Sequence, residues 1–169
     1  MGVVFSVDPS SSAHGVAIWS DQQLVEYFTV PNCPLQVREV VNKYQPDHVY
    51  IEDQYLGVNF KGVVKLLESR IRFQTVLELE GIPVTLVHPK TWQAYHGLAK
   101  FKTTEIKTNT KRIASELTNT IVSNIEISDS IAIGLYAVKV LSETTDIQKG
   151  QPKPVKRRKA TPRRKPTAN

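Results

Sequence analysis

The chain is 169 residues long, 40% hydrophobic and 22% charged, with one cysteine and a formal net charge of +6. That length serves one domain with a real core and not two. There is no run near the roughly 20 apolar residues of a membrane span, and a lone cysteine excludes a disulfide framework and points to a reducing compartment. The charge is asymmetric: residues 1–146 hold all 16 acids and 13 of the 22 Lys and Arg, a net of −3, while residues 147–169 hold the other nine and no acid.

The first element expected is a strand over residues 3–8, a β-branched run closed by Pro9, which cannot continue a ladder. Because the chain opens directly on that strand, no signal peptide is expected. A turn at 9–13 leads to a short strand at 14–19, a turn at Ser20-Asp21 and a third strand at 24–30; such short links make an antiparallel meander. Leu35, Val37, Val40 and Val41 mark a helix over 34–44, stopped before Pro46, that crosses to a strand at 49–52. The right-handed crossover rule lays this strand beside the first, so Asp8 and Glu52 leave the sheet at one edge.

Residues 60–80 read as a long helix and 84–87 as a strand. A helix over 103–118 is opened by Thr103 or Thr104 with Glu105 to follow, and its amide-rich start can meet phosphate. A nearly uncharged last helix covers 127–141, and the helical pitch sets Glu126 and Asp129 on neighbouring positions of one face at its start. In the long helix, Val63, Leu66, Leu67, Ile71, Phe73 and Leu77 spread over about half the circumference, with Val76 and Leu79 outside that arc, where a surface helix shows a stripe little wider than 100°. By pattern alone, a helix buried in one subunit and one shared between two copies are equally served.

Four carboxylates brought to one edge raise one another's pKa, and a cation relieves the cost. Mg²⁺ prefers hard oxygen ligands and needs only one or two carboxylates beside waters and substrate phosphate. Two such ions about 3.5–4 Å apart can stabilise both the attacking and the leaving oxygen of an in-line phosphodiester displacement, so the layout is that of a two-metal nuclease. Zinc finds no home: Cys33 is alone, and His14, His48, His88 and His96 show no ligand spacing. Asp53 would replace Glu52 as the delivered carboxylate if the strand slipped by one residue. His88 and His96 flank a stretch containing Trp92 and either reach this edge as proton carriers or serve only the fold. Ser10, Ser11 and Ser12 lack a partnered base, and without a glycine-lysine phosphate loop no nucleotide cofactor is expected.

Four segments stand in a telling order: VDPSSSAHGVAI at 7–18, VYIEDQYLGVNFKGVVKLLESRI at 49–71, GIPVTLVHPKTWQAYHG at 81–97 and EISDSIAIGLYAV at 126–138. On these, residues 1–142 resemble the RuvC-type Holliday junction resolvases of the RNase H-like superfamily. The resemblance implies an α/β fold, a mixed five-stranded RNase H-like sheet flanked by helices, in a nuclease domain over 1–146. It implies Asp8, Glu52, Glu126 and Asp129 as catalytic ligands of two Mg²⁺ or Mn²⁺ ions. One metal would lower the pKa of the attacking water while the other steadies the departing 3′ oxygen. The product ends would be 5′ phosphate and 3′ hydroxyl.

The substrate implied is branched DNA, four-way junctions above all, cut by paired nicks in opposing strands by a homodimer built around the long helix. Tyr55 occupies the place of an aromatic wedge at the junction centre, where stacking on an unpaired base is worth about 1–3 kcal/mol. Lys102 and Lys107 match basic residues that touch DNA. Two departures stand out: Glu126 takes the place of an aspartate, and Ser10 that of a glycine.

Residues 147–169, with one valine, four prolines and no aromatic, are expected to form a disordered basic tail that attracts phosphate without reading sequence; a solubilising tail and a localisation signal are the other readings. A cytoplasmic setting, in a bacterial or phage-infected cell, suits this composition. Two further readings remain: a broader nuclease trimming forks, flaps and three-way junctions, and a non-catalytic RNase H-like DNA-binding scaffold.

Overall fold

The computed structural model describes residues 2–54 and 60–141. Among these the elements run β1 (Val3–Asp8), β2 (Ala13–Ser20), β3 (Gln23–Pro31), α1 (Pro34–Tyr44), β4 (His48–Glu52), α2 (Phe60–Leu79), β5 (Val84–Val87), α3 (Pro89–Tyr95), α4 (Thr103–Thr118) and α5 (Ile125–Tyr136), with a π-helical turn at Ala137–Leu141. The sheet order is β3-β2-β1-β4-β5. β1, β2 and β3 form the antiparallel meander; β4 then lies parallel to β1, and β5 parallel to β4. This is the mixed five-stranded α/β sheet expected, with the crossover through α1 placing β4 beside β1.

Alternation along each strand divides the core into two halves. Phe5, Val7, Val16, Ile18, Val49 and Ile51 face α1 and α2, where Val37, Val41, Phe73 and Leu77 close over them. Residues of the other parity, among them Ala17, Trp19 and Tyr50, face α3, α4 and α5 and meet Trp92, Ala114, Ile131, Ala132, Ile133 and Tyr136. With both faces covered, the central strands read as unbroken apolar runs.

α5 is buried nearly all round, which is why its sequence carries so little charge. It lies flat on the sheet because two glycines make room. A Cβ on Gly15 of β2 would stand 1.9 Å from the backbone oxygen of Glu126, and one on Gly134 of α5 would stand 2.1 Å from Trp19 Nε1. Between them, Ser6 Oγ donates to the Ser130 carbonyl at 2.7 Å and accepts from Trp19 Nε1 at 2.9 Å, so the polar atoms trapped in this layer are paired.

Four local expectations change. The last helix opens at Ile125 because Asn124 caps it, its Oδ1 accepting from the Ile127 amide at 2.9 Å. α3 was not anticipated, being too short for a periodic signal; Pro89 starts it and His88 Nδ1 caps it by accepting from the Lys90 amide at 3.2 Å. The cap of α4 is Lys102, not Thr103 or Thr104, and the Glu105 carboxylate accepts from the Lys102 amide at 2.8 Å. In α2, Ile71 is 47% exposed although it fell inside the expected arc, while Val76, outside it, is buried. The buried stripe runs through Ser69, Phe73, Val76 and Leu77, and a serine within it hid its true centre; Ser69 Oγ donates to the Ser10 carbonyl at 2.5 Å.

The Gly15 contact is with backbone that no rotamer change can clear. Gly15→Ala should therefore cost about 1–3 kcal/mol in urea denaturation, the usual cost of overpacking. An unchanged midpoint would show that the start of α5 does not rest on β2.

Candidate active site

Asp8 is the last residue of β1 and Glu52 the last of β4. Val7 pairs with Ile51 in the parallel ladder, so the two carboxylates leave neighbouring strands side by side, a strand spacing of about 4.8 Å apart. Both share the parity of Ser6 and Tyr50 and so face α5. The first turns of α5 carry Glu126 and Asp129 to the same place, held there by the close approach of Glu126 to Gly15, which is itself paired with Asp8. The structure thus brings together the four carboxylates singled out in the sequence: Glu52, Asp129 and Glu126 all act on Asp8.

Burial and mutual repulsion act in one direction here. Asp8 is pushed well above its ordinary value, first by burial and then by Glu52, Asp129 and Glu126; its side chain is within hydrogen-bonding reach of Glu52. Burial lifts Glu52 to about 7, against the hydrogen bond from the Trp92 indole, whose Nε1 donates to Oε1 at 2.9 Å. Asp129 rises to about 6 by burial, with Thr110, Lys107 and Lys111 of α4 working against that rise. In the absence of a cation, Asp8 and Glu52 are suited to share a proton.

The donor set fits a hard divalent cation. Oδ1 of Asp129 is buried without a hydrogen-bond partner, and Asp8 and Glu52 offer adjacent oxygens whose joint ionisation needs a positive charge. Among the described residues, no group of three or more His, Cys, Asp or Glu side chains is close enough to hold a metal ion unaided. Mg²⁺ does not require one, since waters and substrate phosphate complete its octahedron.

The other sequence candidates are placed as follows. Strand register selects Glu52 over Asp53: Glu52 pairs with Val87, while Asp53 turns toward Arg70 Nε at 3.8 Å. His88 is spent capping α3, and His96 Nε2 donates to the Ala132 carbonyl at 2.8 Å, so both serve the fold. His14 is buried with its ring edge against Phe73. Lys107 stands near enough to Asp129 to act on it, and Lys102 is exposed at the cap of α4. Tyr55 and the tail at 147–169 lie outside the described residues.

Three neighbours of the site were missed in the sequence: Trp92, Thr110 and Lys111. Lys111 follows Lys107 by one helical turn, a spacing that could have revealed it. Trp92 and Thr110 carry no such signal, because only tertiary packing brings α3 to Glu52 and α4 to Asp129.

No protein family profile matches the chain, and no curated protein sequence does. Solved structures do match. A structure described as Thermus thermophilus RuvC in complex with a Holliday junction substrate superposes with a TM-score of 0.68 at 17% identity, covering 86% of this chain and 98% of its own. The fowlpox virus Holliday junction resolvase follows at 0.55 and 14%, over 81% and 98%. The yeast mitochondrial resolvase Ydc2 matches at 0.54 and 11%, over 86% and 84%. The chain has the RNase H-like fold of the RuvC-type resolvases over most of its length. No helix among the described residues is long and apolar enough to cross a membrane.

The raised carboxylates make stability depend on pH. The pKa of Glu52 rises from 4.5 to about 7 on folding, so the folded protein keeps a proton that the unfolded chain releases, and the stability this group contributes is lost as pH climbs through that window. His14, lowered by burial from 6.5 to about 4, slopes the other way, so the test compares variants at equal pH. In EDTA, Glu52→Gln should be the more stable protein at pH 8, by on the order of 1 kcal/mol, with the gain shrinking toward pH 5. A gain that does not vary with pH would contradict a repelling carboxylate cluster.

Proposed function

We propose that this chain is a metal-dependent, structure-selective DNA endonuclease that resolves four-way junctions by paired nicks in opposing strands, leaving 5′ phosphate and 3′ hydroxyl ends. One observation carries the reading: Asp8, Glu52, Glu126 and Asp129 converge at the sheet edge where β1 and β4 end, in a fold shared with proteins solved as Holliday junction resolvases. Asp8 and Glu52 would hold the cation pair together with Asp129, and Glu126 would join them from the first turn of α5. Two Mg²⁺ or Mn²⁺ ions at such a site supply activation of a water and stabilisation of the departing 3′ oxygen. The carboxylates orient that chemistry at the sheet edge, and Lys107 and Lys111 set positive charge beside Asp129, where a phosphate backbone would pass.

A homodimer supplies the second site that paired incision needs. Ile71 and Leu79 of α2, the latter 80% exposed, support α2 as the shared helix, since both are apolar and uncovered. Tyr55 enters the junction centre, and Lys102 adds charge to the approach. Residues 1–146 form the nuclease domain. Residues 147–169, with nine basic residues, draw phosphate without reading sequence. The setting is cytoplasmic.

Asp8→Asn is the direct test. Cleavage of a four-way junction in Mg²⁺ should fall at least about a hundredfold, on the scale of losing one charged catalytic group, while binding measured by gel shift in EDTA persists. Retained cutting would end the proposal. Cleavage of forks and flaps at the junction rate would make it a broader branched-DNA nuclease. For the tail, deletion of 147–169 should weaken junction binding and flatten the dependence of log K on log salt, each lost phosphate contact removing about 0.9 from the slope. An unchanged slope would reject this role.

A further inference from the structure

Trp92 is 1% exposed, packed with Tyr50, Val87, Leu98, Ala132, Ile133 and Tyr136, yet its one polar atom points at the candidate catalytic edge. Its position follows from the chain path. β5 pairs with β4 at Glu52 and Val87, and α3 begins two residues later, so its first turn passes over the exit of β4. Trp92 Nε1 donates to Oε1 of Glu52 at 2.9 Å. The ring cannot easily turn away: His96 meets it edge-on with centroids 6.3 Å apart, and His96 is itself tied to the Ala132 carbonyl. An indole N–H only donates, so it can hold a carboxylate oxygen but never compete with it for a cation.

We propose that Trp92 is a positioning residue of the nuclease site. Its indole N–H holds Oε1 of Glu52, fixes the carboxylate rotamer, and leaves the remaining lone pairs beside Asp8 for a divalent cation. This rests on the metal-dependent reading above. Partners that orient a ligating group without touching the ion set both its affinity and its geometry, and their loss costs about 10–100-fold in metal affinity or activity. A free glutamate at a strand end has three side-chain torsions to fix, and a donor built into the core removes that freedom in advance.

Trp92→Phe keeps most of the ring packing and deletes the donor. The Mg²⁺ concentration for half-maximal junction cleavage should rise about tenfold, while junction binding in EDTA stays within about twofold of wild type. A second readout needs no turnover. Mn²⁺ titrated into the wild-type protein should quench tryptophan emission with the midpoint seen for cleavage, and in Trp92→Phe the emission left from Trp19 should not respond. Should the phenylalanine variant fail to fold, Trp92→His retains a ring N–H, and the wild-type Mn²⁺ titration stands without any variant. A folded Trp92→Phe with the wild-type Mg²⁺ midpoint would overturn the proposal, as would wild-type emission unmoved by Mn²⁺ at concentrations that support cleavage. A wild-type chain that quenches with Mn²⁺ but cuts no branched DNA would overturn the functional reading and leave the positioning role intact.

Discussion

The parallel pairing of β1 with β4 is the constraint on which everything else hangs. It sets Val7 against Ile51 and so brings two carboxylates from distant parts of the chain, Asp8 and Glu52, to one rim of the sheet. Nothing local favours that juxtaposition. It is held by the apolar faces of both strands: Phe5, Val7, Val49 and Ile51 are buried against α1 and α2, and sliding the register by one residue would turn this whole set to the opposite face. Hydrophobic burial thus enforces an electrostatic arrangement that is unfavourable by itself.

α5 completes the arrangement through closeness of approach. A helix lying on a sheet usually stands off by the thickness of a side chain; here Gly15 and Gly134 remove that thickness at two points, and the Trp19–Ser6–Ser130 chain of hydrogen bonds ties the layer together. The first turn of α5 therefore reaches the rim, and Asp129 is carried to where one of its oxygens is buried and unpaired. Burial, like charge and an orphaned acceptor are three independent costs at one place. A divalent cation would answer all three at once, where protonation would answer them only in part.

The surroundings of the cluster divide the compensation between two elements. α4 offers Thr110, Lys107 and Lys111 to Asp129, while α3 offers the Trp92 indole to Glu52. Asp8 lies between them, raised by burial and then by Glu52, Asp129 and Glu126.

Legibility followed the range of the interactions. Strand ends closed by a carboxylate, the meander, the crossover and the helical spacing of Glu126 and Asp129 were readable because they depend on period-two alternation, turn chemistry and pitch, all local. The place of β4 beside β1 followed from chain handedness, whereas the place of β5 at the edge did not. α3 was too short to show a period, the serine inside the buried stripe of α2 concealed which face was inner, and the cap of α4 fell on Lys102, a residue type without an acceptor. The sequence by itself determined which carboxylates exist, at which element ends they stand, and that two share a helix face. Only the tertiary structure decided that an indole forty residues away would bind Glu52, that Thr110 and Lys111 would stand by Asp129, and that two glycines would let the layers close. Those contacts are set by how side-chain volumes fill the space between sheet and helices, and packing of that kind leaves no period in the chain to read.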